Sequence, residues 1–115
     1  MKFALLLFDP KDYWESVSSE EMEAALAEHA AFAQHLREQR IAFSAQAVKP
    51  ASEARTLRPS QQGPVSAAGP FVALDQELAG FYVIECANLD EAEKIARHCP
   101  LGAGIEIRPV WDAPS

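Results

Sequence analysis

A chain of 115 residues fits a single domain with one core, burying roughly two-thirds of the surface that its unfolded form exposes. Hydrophobic residues make up 49% and charged residues 23%, which excludes wholesale disorder. The formal net charge of -7 sets the surface against phosphate backbones and anionic lipid, so neither nucleic acid nor a membrane is an expected partner.

The apolar run over residues 2–8 meets Asp9 and Pro10 too soon for a signal peptide or a membrane span, and it reads as a buried strand. Cys86 and Cys99 have neither metal-ligand spacing nor the look of a disulfide framework. They read as small core hydrophobes of a protein in a reducing cytoplasm. Ser18 and Glu21 form a capping box ahead of a run free of Gly and Pro, predicting a helix over residues 19–40. Met22, Ala25, Leu26, His29, Phe32, Ala33 and Leu36 fall on one side of it at the 3.6-residue period.

Residues 43–48 alternate as a strand. From 49 to 79, Pro50, Pro59, Gly63, Pro64, Gly69 and Pro70 break the pattern, leaving two short pieces, 54–58 and 65–67, as a hairpin. A stretch this irregular inside a small domain is an expected roof for a functional pocket. Residues 80–87 form a strand that is apolar on both faces, and Asn88 with Glu91 makes a second capping box. Its helix turns Leu89, Ala92, Ile95, Ala96 and Cys99 inward and stops at Pro100. Residues 104–111 form the last strand.

The order strand, helix, strand, hairpin, strand, helix, strand is the split βαβ arrangement called ferredoxin-like, an α+β fold with an antiparallel sheet and two helices on one face. The first and third main strands are central in that arrangement, and they are the two most apolar here. Phe3, Leu5 and Leu7 point one way while Ala4, Leu6 and Phe8 point the other, so the face without helices also needs cover. A homodimer packed sheet against sheet is the expected partner arrangement.

His29 is the sharpest candidate for chemistry: a helical histidine facing the sheet sits where desolvation and a hydrogen bond tune its pKa. Buried about 15 Å along the helix, it is expected to lie over Leu5 and away from Asp9. Asp9, Asp12, Tyr13 and Trp14 are expected to shape a rim. His35 lies off the apolar stripe and is expected to be solvated, and His98 to favour a helix C-terminus. Arg108 either binds an anion or pairs with Glu106 or Glu85. No metal-ligand, phosphate-loop or nucleophile-elbow motif occurs, so neither a cofactor nor a metal is expected.

Several stretches together resemble the YCII-related, DGPF-type domain family. They are the apolar first strand ending in Asp9, Glu28-His29-Ala30-Ala31-Phe32, Gly69-Pro70-Phe71, Gly80-Phe81-Tyr82, Leu89-Asp90-Glu91-Ala92 and Glu106-Ile107-Arg108-Pro109-Val110. The resemblance covers nearly the whole chain and implies a dimeric ferredoxin-like α/β barrel. It also implies a catalytic helical histidine, His29, working with an aspartate, and in a few members lyase-like chemistry on ring substrates. Phe71, Tyr82, Gln46 and Arg108 are the binding candidates around it. Ala68 stands where the motif has its acid, Ala45-Gln46 where a Gly-Glu pair is usual, and Ala73 and Asp75 where an acid and a lysine follow. These departures imply a pocket whose active site is degenerate, with an enzyme using His29 as general acid/base on a ring or anionic substrate as one alternative and a module without ligand as another.

Overall fold

The near-continuous apolar run makes β1 (Lys2–Pro10), which is followed by a short helix, α1 (Tyr13–Ser16). The computed structural model describes residues 1–111, so the last four residues of the domain read as 1–115 lie outside it. Ser18 Oγ accepts from the Glu21 amide at 3.1 Å and starts α2 (Ser19–Glu38), as the capping box requires. β2 (Phe43–Ala47) follows, then a single 3-10 turn (Ala51–Glu53), and then the hairpin strands β3 (Arg55–Arg58) and β4 (Val65–Ala68). β5 (Gln76–Glu85) returns to the main sheet. Asn88 Oδ1 accepts from the Glu91 amide at 2.9 Å to begin α3 (Leu89–Ala96), and β6 (Gly104–Pro109) closes the chain.

The four-stranded sheet has the order β2-β5-β1-β6 and every pairing is antiparallel, which is compatible with the ferredoxin-like arrangement, β1 and β5 being central. Among the described residues β3 and β4 pair only with each other. Three points differ from the expectation. β5 begins at Gln76, four residues earlier than its apolar segment, because β1 runs on past Phe8 and pairs Asp9 with Glu77 and Pro10 with Gln76. The register shifts between Leu7 and Phe8, where Gly80 and Leu78 are the successive partners, as a β-bulge does. And α1, opened by Asp12 in the left-handed region (φ 63), has no apolar period to announce it.

Phe3, Leu5, Tyr82 and Ile84 cover one face of the sheet, and Phe32 and Leu36 of α2 with Ala92, Ile95, Ala96 and Cys99 of or beside α3 close over it as one core. Leu5, Leu36 and Ile84 are wholly buried; truncating any of them to Ala is in the range of about 2–5 kcal/mol. The opposite face carries Ala4, Leu6, Phe8, Phe81 and Val83, all half-buried. The molecule measures 50 × 45 × 19 Å, and its thin dimension holds one sheet and one helix layer. No described helix is long and apolar enough to cross a membrane.

Candidate functional site

Beyond Tyr82 the helix-facing positions of the sheet turn small: Ala45 and Ala47 on β2 and Gly80 between them and Leu7. A Cβ on Gly80 would come within 2.7 Å of the Gln46 carbonyl and 3.1 Å of the Ala47 Cα, so glycine lets these strands approach. With Ala25 facing them from α2, the missing volume becomes a cleft of about 470 Å³ at the end of the sheet. α1 supplies Tyr13 and Trp14 to its wall, α2 supplies Leu26, Glu28 and His29, and the turn before β6 supplies Leu101 and Gly102.

His29 Nδ1 lies 3.0 Å from the Tyr82 hydroxyl, and among the described residues this is the ring's one hydrogen bond. Tyr82 is itself held by Phe32, edge to face at 5.0 Å. Burial pushes the Tyr82 phenol up to about 12, so it stays protonated and can donate to a neutral imidazole. Partial burial likewise holds His29 below its ordinary 6.5, outweighing the opposite pull of the Asp9 and Glu28 carboxylates. His29 is therefore mostly neutral at pH 7, the form in which a histidine accepts a proton.

Asp9 was expected on a rim away from His29, but it lines the same cleft and its charge acts on the ring. Unbroken alternation along β1 puts it on the helix-facing side with Leu5 and Leu7, and Trp14 Nε1 donates to Asp9 Oδ2 at 2.9 Å and holds it there. Gly102, in the left-handed region at φ +54, packs so close to Asp9 and the Phe8 carbonyl that a side chain there would collide with both. Trp14, expected on a rim, is thus a wall residue that orients Asp9, and Gly102 is a site residue that the sequence does not announce.

The other binding candidates divide. Tyr82 meets His29, whereas Gln46 borders the cleft with its carbonyl, strand alternation turning its side chain to the far face beside Phe81. Arg108 pairs with Glu106 on that far face. Phe71 sits on the hairpin arm, 66% exposed, its ring 5.0 Å from the Arg58 guanidinium and its carbonyl accepting from Arg58 at 2.8 Å. The segment 49–79 does not roof the cleft: apart from Ala79 it frames a second, apolar groove of about 820 Å³ with Phe8, Val48, Val72, Leu74 and Leu78 on the far side of the sheet. His35 is half-buried against His98, their rings 4.3 Å apart, instead of solvated. No described cluster of three or more His, Cys, Asp or Glu is placed to hold a metal ion.

Residues 1–114 match the YCII-related domain. The chain belongs to the YCII-related family. Over 114 residues, 96% of this chain and 92% of the relative, it is 31% identical to Uncharacterized protein R00369 of Rhizobium meliloti (strain 1021). Within this YCII-related chain, Ala45 and Gln46 of the positions that depart from the motif border the cleft, whereas Ala68, Ala73 and Asp75 do not line it.

Cutting His29 to Ala is expected to lower stability by less than about 1.5 kcal/mol, because the loss is one hydrogen bond of about 1 kcal/mol at an open wall and no sealed cavity forms. Denaturant titration reads this directly. A loss of about 3 kcal/mol would make His29 a core residue. Its depressed pKa also sets a direction with pH. The unfolded chain takes up the imidazole proton first, so the contribution of His29 is fully present above pH 6.5 and is lost as pH falls through the lower folded value. Wild type should therefore lose more stability on acidification from pH 7 to 5 than His29→Gln does.

Proposed function

We propose that this YCII-related protein is a cytoplasmic homodimer that binds a small molecule in the His29 cleft and transfers a proton to or from it. The observation that carries the reading is the convergence of a neutral histidine, a phenol and a carboxylate on one cleft of ligand size. Tyr82 fixes the ring through Nδ1 and leaves Nε2 toward a ligand, as a base in the tautomer whose Nδ1–H donates to the phenol oxygen and as an acid in the one whose Nδ1 accepts from it. Asp9 stabilises the imidazolium once the proton has moved, the task for which a neutral partner alone is inadequate. Tyr13, Trp14 and Leu101 supply apolar area for a ring-sized body.

The test has two stages. Thermal-shift and NMR screening with small ring compounds should find ligands that perturb the His29 and Trp14 resonances, one at 100 times its dissociation constant adding about 2.7 kcal/mol of stability. Exchange of an acidic carbon-bound hydrogen of such a ligand with solvent deuterium should then be accelerated by wild type and slowed about 100-fold or more in His29→Gln. Ligand binding at the cleft without exchange would reduce the protein to a binder, and no binding at all would return it to a module without a ligand.

A further inference from the structure

The charges that face the cleft are all of one sign. Among the described residues Asp9 and Glu28 are its charged side chains and no Lys or Arg lines it, Lys11 and Lys49 bordering the second groove instead. The wall between is aromatic and aliphatic: Tyr13 and Trp14 meet edge to face at 5.1 Å, and Leu26 and Leu101 stand at the mouth with 60% exposure each. One oxygen of Asp9 is taken by the Trp14 indole, and its other oxygen is the one that lies against Gly102.

Resting on the reading of this cleft as a ligand site, we propose that its ligand is a small amine, a ring-sized apolar body carrying one positive charge, and that the cleft rejects the carboxylate counterpart. An ammonium group gains attraction from Asp9 and Glu28 in a site partly withdrawn from water, where such attraction is several times stronger than in bulk solvent. It also meets the faces of Tyr13 and Trp14, whose ring quadrupoles favour cations. A carboxylate meets two like charges and no donor of opposite charge. Because His29 is held neutral, the ring does not reverse this balance. The overall charge of -7 adds a field of the same sign around the mouth. Gln46 and Arg108, the polar candidates that an anionic ligand would call on, turn to the far face of the sheet.

Benzylamine, benzyl alcohol and benzoate differ only at the head group and fit a cleft of this volume. Calorimetric titration of the full chain with each, at pH 7 and low salt, is expected to rank them amine, alcohol, carboxylate, with steps of about tenfold or more in affinity. Asp9→Asn should remove about tenfold from the amine and clearly less from the alcohol, and Glu28→Gln should act in the same direction by a smaller factor. Both substitutions are isosteric, so the alcohol serves as the fold and cleft control in each variant. Benzoate binding as tightly as the amine, or an amine preference that survives both substitutions, overturns the proposal while leaving the cleft a ligand site. Binding of none of the three, with no perturbation of Trp14, overturns the proposal together with the reading of the cleft on which it rests.

Discussion

Gly102→Ala is expected to lower stability by about 2–3 kcal/mol and to push the His29 pKa further down. The residue holds φ +54, a left-handed conformation that costs an L-residue with a Cβ about 1–2 kcal/mol. The added Cβ would stand 2.7 Å from the Phe8 carbonyl oxygen, a backbone atom fixed in β1, and against the Asp9 carboxylate. Backbone cannot swing aside as a long side chain does, so either the turn before β6 shifts or Asp9 leaves its place beside Trp14. Asp9 is one of the two charges that raise the His29 pKa, so its displacement lets desolvation act with less opposition. Denaturant titration measures the first effect and an NMR pH titration of the His29 ring the second. Gly102→Asn separates the causes, since asparagine tolerates the left-handed region but carries the same Cβ. A full loss of stability with an unchanged His29 titration would mean that the turn, and not the carboxylate, yields.

Residues whose roles rest on local pattern were legible in the sequence. Ser18 and Asn88 cap their helices where capping boxes place them, and the two-faced apolar runs became the central strands β1 and β5. Phe32 and Leu36, chosen by helical period, are buried in the core. The elements that build the cleft wall are another matter. β1 runs on to Asp9 and Pro10 past a bulge that Ala79 makes in β5, and α1 is four residues long with an exposed or half-buried face throughout. Neither leaves a periodic trace. Distance along a straight helix separates His29 from the start of α2, but β1 alternates Leu5, Leu7 and Asp9 onto the face that α2 covers and so brings the carboxylate to the same cleft. The motif Gly69-Pro70-Phe71 shaped the expectation of a roof over the cleft, yet its turn serves an arm on the other side of the sheet. Gly69 N donates to the Ala54 carbonyl at 2.8 Å and Thr56 Oγ1 to the Gly69 carbonyl at 2.7 Å, so the motif ties the arm to itself. Motif spacing identifies the family but does not say which face of the sheet the motif serves.

Val83→Asp is expected to convert a dimer into a folded monomer. Val83 stands on the face without helices, opposite Ala4 and Ser44, in an apolar field with Leu6, Phe8 and Phe81. The polar residues of that face lie on the outer strands, as Ser44, Gln46, Glu106 and Arg108, or at the ends of the central ones, as Lys2, Gln76 and Glu85, so an apolar centre has a polar rim as protein interfaces do. Four strands about 4.8 Å apart and five to ten residues long span roughly 500 Å², and the adjoining apolar groove extends this toward the roughly 800 Å² per partner of a stable interface. Charge favours a second copy as the occupant. Residues 49–74 carry Lys49, Arg55 and Arg58 against Glu53 alone, a net +2, which leaves -9 on the rest of a chain whose total is -7. The arm also exposes Leu57, Val65, Phe71, Val72 and Leu74. A basic, apolar arm on an acidic body is complementary to another copy of itself, and the association should weaken as salt rises. An aspartate at position 83 costs the monomer little, because water still reaches it there. In the sheet-to-sheet dimer it becomes a buried unpaired charge on each side, worth about 3–5 kcal/mol apiece, which exceeds a thousandfold in dimer affinity. Sedimentation at micromolar concentration should give twice 12.6 kDa for wild type and 12.6 kDa for the variant, with the same circular dichroism. Wild type sedimenting as a monomer would leave the far face open to some other partner and remove the symmetric barrel from consideration.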